Sequence, residues 1–270
     1  MNRASASAKI NLALVVGRRR DDGKHEVATV MQRIDLADRV EVEPADTLSV
    51  DGYAEDTIVR RALHALADAA GAEPAWRVHI EKRIPVASGL GGGSSDAAAA
   101  LSLANSTLPR PVDDLHHIAA SVGADVPFFL TSGPQLGTGD GSELEPLELP
   151  QDYWIVVVLP RDASKAATAE VYDRFDARSG ADGFDARRAE LYARLGDVRR
   201  PSQLAALPPN DLASSPLAEV LERLGAFRAD VSGAGPAVYG LFAREKQAEE
   251  AARTMRSHGR VWLSVPAWYG

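Results

Sequence analysis

Hydrophobic positions along the chain alternate between the two-residue period of a strand and the three-to-four-residue period of a helix. In residues 76–81 apolar side chains occupy every second position, which predicts a strand with one exposed face. In residues 57–70 they recur every three or four positions and stop before Gly71, which predicts a helix. By the same criteria, further strands are predicted at residues 5–16, 27–34, 39–43, 153–159, 238–242 and 261–265, further helices at residues 94–105, 113–122, 166–175 and 245–257, and a loop at residues 201–210.

The order of these elements predicts the fold class. Strands and helices interleave irregularly, which favours an α+β fold with two layers over a doubly wound parallel sheet. A charged, proline-containing segment at residues 147–151 precedes a new buried strand. We therefore expect two domains, at residues 1–148 and 149–270.

Composition narrows the class of protein. The 270 residues are 45% hydrophobic and 25% charged, as in ordinary globular proteins, and the net charge of −8 argues against nucleic acid as a partner. There is no cysteine, so disulfides and thiolate chemistry are excluded and a cytoplasmic enzyme is expected. The longest apolar runs are far shorter than the roughly 20 residues of a membrane span, and no secretory signal is expected.

The strongest chemical signal is a glycine-rich segment in which Gly89, Gly91, Gly92 and Gly93 precede a predicted helix. Such a turn lets backbone N–H groups converge beside the positive end of the helix dipole, which suits phosphate. The segment lacks the Gly-Lys-Ser/Thr ending of a Walker loop and the parallel context of a dinucleotide fingerprint. Glycines that only cap a tightly packed helix are the structural alternative.

Two serines follow these glycines. The hydroxyls of Ser94 and Ser95 could cap the helix or contact phosphate or Mg²⁺, and the residues alone leave both possibilities open.

Two charged residues stand in apolar surroundings. Lys9 interrupts the first strand, and Asp125 lies between small residues and an apolar run, so we expect partial burial and a need for partners. The two could pair, in which case the carboxylate would stay ionised and could position or deprotonate a hydroxyl. The alternatives are a lysine that reaches solvent and an aspartate that caps a turn.

Weaker candidates lie elsewhere in the chain. A second glycine turn contains Ser232, Gly233 and Gly235, and on its own a simple turn is favoured over a site. His25 could contact a polar ligand or be solvated, and Tyr172 could stack on a flat ring or belong to the core.

The order of these motifs resembles the GHMP kinases. The resemblance extends from Lys9 to about Phe242 and rests on five segments, at residues 8–12 (AKINL), 22–25 (DGKH), 85–99 (PVASGLGGGSSDAAA), 123–128 (GADVPF) and 232–236 (SGAGP). Within the family it is similar to enzymes that phosphorylate a cytidine diphosphate alcohol in the non-mevalonate isoprenoid pathway.

This resemblance implies a two-domain α+β kinase with its site in an interdomain cleft, and ATP and Mg²⁺ as cofactors. Asp125 would be the general base, Lys9 would neutralise charge beside it, and Asn11 would hold the substrate. His25 would contact the cytosine edge and Tyr172 its face. Asp56, where the family usually has Asn, would lie near the adenine. The phosphate-binding loop would comprise Pro85, Val86, Ala87, Ser88, Gly89, Leu90, Gly91, Gly92, Gly93, Ser94 and Ser95.

The sequence departs from the family pattern twice. Lys24 stands where the family usually has a tyrosine, so one aromatic wall of the cytosine site is replaced by a cation. Ala213 stands where the family tends to have an acidic residue after Asn210 and Asp211, and the sequence explains no role for this change. Lys24 keeps another small-molecule kinase of the family, acting on a sugar, mevalonate-like or homoserine-like alcohol, as an alternative; a nucleotide-binding module without chemistry is a second.

Overall fold

The computed structural model describes residues 2–53, 57–161 and 168–267. Spatial contacts divide the chain into two discontinuous units. Unit 1 comprises Met1–Ala8, Leu36–Val86 and Gly91–Ser132, and unit 2 comprises Lys9–Asp35, Ala87–Leu90 and Gly133–Gly270. The predicted boundary between residues 148 and 149 stays a prediction, because these units follow contacts in space rather than one cut in the chain.

The described residues form both strands and helices. The strands are β1 (Asn2–Arg19), β2 (His25–Pro44), β3 (Ser49–Asp51), β4 (Trp76–Glu81), β5 (Gln135–Thr138), β6 (Glu143–Pro146), β7 (Trp154–Pro160), β8 (Arg228–Val231), β9 (Val238–Phe242) and β10 (Gly259–Ser264). The helices are α1 (Thr57–Ala70), α2 (Gly92–Asn105), α3 (Leu115–Val122), α4 (Thr168–Ala177), α5 (Phe184–Asp197), α6 (Pro216–Arg223) and α7 (Glu245–Met255), with 3₁₀ helices at Pro127–Leu130 and Pro201–Ala206. None of the helices in these ranges is long and apolar enough to cross a membrane.

Unit 1 packs helices on one face of a sheet. The second half of β2 pairs antiparallel with β4, and β3 pairs parallel with β4. The alternation predicted for β4 is present, since its side chains are buried and exposed in turn. The inner face of these strands and helices α1, α2 and α3 share one apolar core, in which Val78, Leu63 and Leu101 are fully buried. The alanines of α2 allow this close packing because their side chains are small.

Unit 2 contains a four-stranded antiparallel sheet in the order β10-β7-β9-β8. Helices α6 and α7 cover it, with Leu221 and Met255 buried against Val156 and Val238. In the same unit, the first half of β2 pairs with β5, and β5 pairs with β6. Strand β1 pairs with β2, and each of these two long strands contributes residues to both units.

The predicted elements differ from the structure mainly where polar residues obscure the apolar period. Residues 27–34 and 39–43 were expected as two strands but belong to the single strand β2. Two aspartates between the predicted strands have partners: Asp35 accepts the Val265 N–H in unit 2, and Asp38 accepts the Ile84 N–H in unit 1. The expectation of a loop at residues 201–210 was partly wrong, since Pro201–Ala206 is a 3₁₀ helix.

Candidate active site

In unit 2 the second glycine turn packs directly against the first glycine-rich segment. The Ser232 hydroxyl donates to the Gly89 carbonyl at 2.9 Å, and the Ala237 N–H donates to the Ser88 carbonyl at 2.9 Å. The Lys9 N–H donates to the Leu90 carbonyl at 2.9 Å. Residues 232–236 therefore form a turn, as favoured from the sequence, and this turn also holds part of the predicted phosphate loop.

Close backbone approach explains the glycine at position 89. Its φ is +84°, and a Cβ atom built there would lie 2.2 Å from the Ser232 carbonyl oxygen. The loop also contains Ala87, whose φ of 58° is uncommon for a residue with a side chain. Only glycine satisfies both the dihedral angle and the contact at position 89.

Lys9 is buried, with only 4% of its surface exposed, so the expectation that it could reach solvent is wrong. Its Nζ donates to Asn11 Oδ1 at 2.6 Å, and Asn11 Nδ2 donates to Thr29 Oγ1 at 2.8 Å. The Tyr239 hydroxyl donates to the Asn11 carbonyl at 2.9 Å. Burial raises the pKa of Tyr239 to about 12, so this donor keeps its proton at neutral pH. These hydrogen bonds fix Asn11, and Asn11 in turn holds the Lys9 ammonium group.

Gly233 connects the second glycine turn to this lysine. A Cβ atom built on Gly233 would lie 3.5 Å from Lys9 Nζ, 3.4 Å from Asn11 Oδ1 and 3.5 Å from the Gly89 carbonyl oxygen. Lys9, Asn11, the first glycine segment and the second glycine turn therefore meet at one place in unit 2. The polar groups there include the Lys9 ammonium, the Asn11 amide and backbone groups of both glycine segments.

In unit 1 the other part of the glycine-rich segment starts helix α2. The helix begins at Gly92 rather than at Ser94 as predicted, with Gly91 as its N-cap in the left-handed conformation at φ 71°. Because Gly91 has no side chain, it cannot accept a capping bond from the N–H groups of the first turn. Ser94 and Ser95 therefore stand inside the first helical turn, beside the N–H groups that helices leave without internal partners.

A buried ion triad lies beneath this helix start. Lys82 Nζ contacts Asp96 Oδ2 at 2.6 Å and also forms an ion pair with Asp38, and both carboxylates are fully buried. Asp38 additionally accepts the Arg83 and Ile84 N–H groups. Burial alone would lower the pKa of Lys82, but the charges and hydrogen bonds of Asp96 and Asp38 outweigh it, so the pKa is raised.

Asp125 lies in unit 1, in the turn between α3 and the following 3₁₀ helix, and it is partly buried as expected. The N-cap of that 3₁₀ helix is Val126, and the alternative in which Asp125 caps a turn stays open. Pairing of Asp125 with Lys9 stays a prediction. Asp56 lies outside the described residues.

His25 and Tyr172 are brought together in unit 2. Their rings stack with centroids 4.5 Å apart, and the ring of Phe175 meets His25 edge-on. His25 Nε2 lies 2.9 Å from Asp176 Oδ1, and only 8% of the residue is exposed, so the expectation of a solvated histidine is wrong. Tyr172 is partly buried against an apolar cluster. The two rings are in direct contact, so a flat ligand would have to stack on an outer face rather than between them.

Lys24 forms an ion pair with Asp140, at the hairpin of β5 and β6. Burial raises the pKa of Asp140, but hydrogen bonds from Lys24 and Ser142 and the charge of Lys24 outweigh this effect, so the pKa is lowered. Because its ammonium group is engaged by a carboxylate, Lys24 offers mainly its hydrocarbon stem to a neighbouring group.

Comparison with known proteins places this arrangement in a family. Residues 57–133 match the family described as GHMP kinases N terminal domain, and residues 188–261 match GHMP kinases C terminal. The chain belongs to the GHMP kinase family. Both the resemblance read from the motifs and the α+β kinase fold are thereby confirmed.

Two relatives of this GHMP kinase and one solved structure are named as the same enzyme. It is 37% identical to 4-diphosphocytidyl-2-C-methyl-D-erythritol kinase of Chlorobium phaeobacteroides, over 97% of this chain and 96% of the relative. It is 40% identical to the enzyme of the same name from an Anaeromyxobacter species, over 93% and 85% of the two chains. A solved structure of 4-(cytidine 5'-diphospho)-2C-methyl-D-erythritol kinase superposes with a TM-score of 0.79 at 32% identity, covering 98% of this chain and 99% of that chain.

Sequence reasoning about this GHMP kinase missed the residues that hold its loops. In the sequence, Lys82 and Asp38 resemble ordinary charged residues at the edges of strands. Asp96 resembles the end of the glycine motif. Asn210 was noted without a function, yet it is buried and donates to the Gly233 carbonyl at 2.7 Å. Its signal was a polar residue directly after two prolines, at a point where the chain needs a side chain to satisfy backbone groups.

Proposed function

We propose that the chain transfers the γ-phosphoryl group of ATP to the 2-hydroxyl of 4-diphosphocytidyl-2-C-methyl-D-erythritol, giving the 2-phosphate and ADP. The observation that carries the proposal is the full-length similarity to kinases of that name, in a chain that keeps Lys9, Asn11 and both glycine turns in contact within unit 2. Similarity over only one of the two family domains would not carry it.

In the proposed mechanism Asp125 accepts the proton of the 2-hydroxyl as that oxygen attacks the γ-phosphorus. The bond between the γ-phosphorus and the bridging oxygen breaks, and its electron pair leaves with ADP. Lys9 offsets the negative charge that gathers on the phosphoryl oxygens, and Asn11, which is bonded to Lys9, holds the substrate beside it. Burial of Lys9 supports this role, because a desolvated ammonium interacts more strongly than a solvated one.

The loop of residues 85–95 would bind the phosphates of ATP through backbone N–H groups and the start of α2. Among the described residues no group of three His, Cys, Asp or Glu side chains could hold a metal ion alone. Mg²⁺ would be held mainly through substrate phosphates and water, with the hydroxyls of Ser94 and Ser95 as protein oxygens. When bound, the metal would neutralise phosphate charge.

Recognition of the cytidyl group would rest on two neighbouring side chains. His25 would contact the edge of the cytosine, and Tyr172 would contact its face on the side away from His25. Lys24 would cover one edge of the ring with its stem while its ammonium stays with Asp140. The second glycine turn, with Ser232, Gly233 and Gly235, would hold the phosphate loop against Lys9. The predicted cytoplasmic location stays a prediction.

The experiment that tests the proposal is a coupled assay of ADP release with Mg-ATP. 4-Diphosphocytidyl-2-C-methyl-D-erythritol is compared with methylerythritol 4-phosphate, mevalonate, homoserine and galactose. We expect turnover with the cytidyl alcohol alone. Turnover confined to another alcohol would overturn the substrate assignment, and ATP binding without ADP release from any alcohol would overturn the kinase assignment.

Asp125→Asn tests the proposed base within that assay. The amide cannot accept the hydroxyl proton, so we expect kcat to fall at least about 100-fold, the lower range for loss of a general base. Asp113→Asn makes the same change at an exposed position of unit 1 and should leave kcat unaltered. An Asp125→Asn enzyme that keeps more than a few per cent of turnover would remove the role assigned to the carboxylate.

A further inference from the structure

Asn210 uses the whole hydrogen-bonding capacity of its side chain within unit 2. Its Nδ2 donates to the carbonyls of Gly233 at 2.7 Å and Val231 at 2.9 Å. Its Oδ1 accepts the Leu212 N–H at 2.8 Å and the Ala213 N–H at 3.4 Å. Only 8% of the residue is exposed, so water cannot replace these partners cheaply.

The segment that carries Asn210 is itself anchored to strand β1. The backbone of Asn210 forms a parallel bridge with Leu14, and the Asp211 N–H donates to the Leu14 carbonyl at 2.9 Å. Asp211 Oδ2 accepts the Val16 N–H at 2.9 Å and pairs with Arg187 at 3.1 Å. Strand β1 also carries Lys9, so the amide of Asn210 links the lysine's own strand to the second glycine turn.

That turn reaches the lysine through Gly233. The carbonyl of Gly233 is held by Asn210, and a Cβ built on Gly233 would be in van der Waals contact with Lys9 Nζ at 3.5 Å and Asn11 Oδ1 at 3.4 Å. Displacement of the turn would therefore alter the space around Lys9 Nζ.

We infer that Asn210 is a positioning residue for phosphoryl transfer: its amide fixes the second glycine turn against Lys9 and Asn11 and so sets where the ammonium group stands. The inference rests on the proposed function for the role of Lys9. It assigns a role to the Asn210-Asp211 segment, which the sequence left without one.

The hydrogen bonds of Asn210 require an amide side chain, which donates and accepts at the same time. An aspartate has nearly the same shape but no N–H donor, so its carboxylate would face the carbonyl oxygens of Val231 and Gly233. Asn210→Ser keeps a single, shorter donor and is the milder variant.

The matched control is Asn105, a second buried asparagine. Its Nδ2 donates to the Val112 carbonyl at 3.0 Å and its Oδ1 accepts the Val112 N–H at 2.8 Å, in unit 1 and at the C-terminal end of α2, the opposite end of that helix from the phosphate loop. Asn105→Asp therefore breaks a comparable buried amide without touching the turn.

The first measurement is kcat and KM of the full-length enzyme with Mg-ATP and the cytidyl alcohol. We expect Asn210→Asp to lower kcat at least about tenfold with KM for the alcohol changed less than about twofold, and Asn210→Ser to fall between it and the parent chain. Asn105→Asp should lower the midpoint of thermal unfolding with kcat nearly unchanged. If Asn210→Asp and Asn105→Asp both lose kcat in proportion to their loss of stability, the inference is wrong.

The second measurement asks whether Asn210 acts through Lys9. In a Lys9→Met background, Asn210→Ser should lower the residual kcat by less than about twofold, because the group it positions is gone. If Asn210→Ser lowers kcat by the same factor in the Lys9→Met background as in the parent chain, Asn210 acts independently of Lys9 and the inference is overturned.

A third readout does not depend on turnover. Spectra of ¹⁵N-glycine-labelled protein, which has 22 glycines, should show shifts of the Gly89 and Gly233 amides in Asn210→Ser but not in Asn105→Asp. Unshifted glycines in Asn210→Ser would overturn the inference even for a variant too unstable to assay. Absence of turnover in the unmodified chain with every alcohol would instead overturn the proposed function, which these spectra do not test.

Discussion

The two parts of the glycine-rich loop are held in place by different interactions. Ala87–Leu90 belongs to unit 2 and is fixed by the Ala237 and Lys9 N–H groups and the Ser232 hydroxyl. Gly91 and the start of α2 belong to unit 1, where the buried charges of Lys82, Asp38 and Asp96 anchor the helix. The part in unit 2 requires that position 89 has no side chain, whereas the part in unit 1 requires the side chains of Lys82, Asp38 and Asp96.

This difference determines which substitutions each part tolerates. A Cβ at Gly89 would overlap a backbone oxygen, which cannot move without the whole turn. A Cβ at Gly92 would lie 3.0 Å from Ile84 Cγ2 and 3.3 Å from Lys82 Nζ, which are side-chain atoms that can shift. Backbone packing thus makes position 89 sensitive to volume, whereas the triad makes the helix start sensitive to charge.

The largest effect is expected from Gly89→Ala. The positive φ and the overlap with the Ser232 carbonyl add, so we expect the free energy of unfolding to fall by about 4 kcal/mol or more, with loss of ATP turnover. Chemical denaturation followed by circular dichroism measures this value.

Gly133→Ala separates the cost of the positive φ from the cost of the steric overlap. Gly133 has a φ of +71° in the same unit, but a Cβ there would meet nothing within 4 Å, so only the dihedral cost of about 1 kcal/mol should remain. Equal losses in the two variants would show that the contact with the second turn has no energetic role.

The next largest effect is expected from Lys82→Met, which leaves two fully buried carboxylates without their shared cation. Removal of one partner from a buried ion cluster costs about 3–5 kcal/mol, and we expect the lower end because Lys82 keeps 15% of its side chain exposed. Adding Asp96→Asn to Lys82→Met should recover part of the loss, since one buried charge is then absent. Both values come from urea denaturation at pH 7.

Arg83→Met is the control for this variant. Arg83 neighbours Lys82 in the chain and pairs with Glu81 at 2.7 Å, but both side chains are about half exposed. An exposed pair contributes about 0–1 kcal/mol, so Arg83→Met should be nearly neutral. A loss as large as that of Lys82→Met would contradict the view that burial makes the triad important.

Elements with a clear apolar period were predictable from the sequence. Helix α1 lies at Thr57–Ala70 and strand β9 at Val238–Phe242, as their patterns predicted. Helix α5 was missed because Leu191 is its only buried residue, so almost no apolar period exists to detect. Helix α6 was missed because it is short, although Ser215 caps it and Pro216 begins it.

The candidate site was predictable in part. Glycine spacing revealed the loop because backbone conformation selects for glycine, and Lys9 and Asp125 stood out as charges among apolar residues. Neither glycine spacing nor a charge among apolar residues could reveal the residues that hold the loop and the turn in place. Lys82 and Asp38 have ordinary local surroundings, and Asn210 is marked only by the two prolines before it. The importance of all three arises from contacts with residues far along the chain, as between Asn210 and Gly233.

The smallest effect is expected at the ion pair of Lys24 and Asp140, an exposed counterpart to the buried triad. The folded-state pKa of Asp140 lies below its ordinary value of 3.8, so the pair's contribution is present above that pH and is lost as pH falls through the folded value. Lys24→Met should therefore cost at most about 1 kcal/mol at pH 7, and the difference from the parent chain should shrink as pH falls below the ordinary pKa of Asp140 and through the lowered folded value. Urea denaturation across this range measures it, and 1 M NaCl should reduce the difference at pH 7 by screening. A difference that is unchanged in high salt would mean that the stem of Lys24 stabilises the fold by packing rather than by charge.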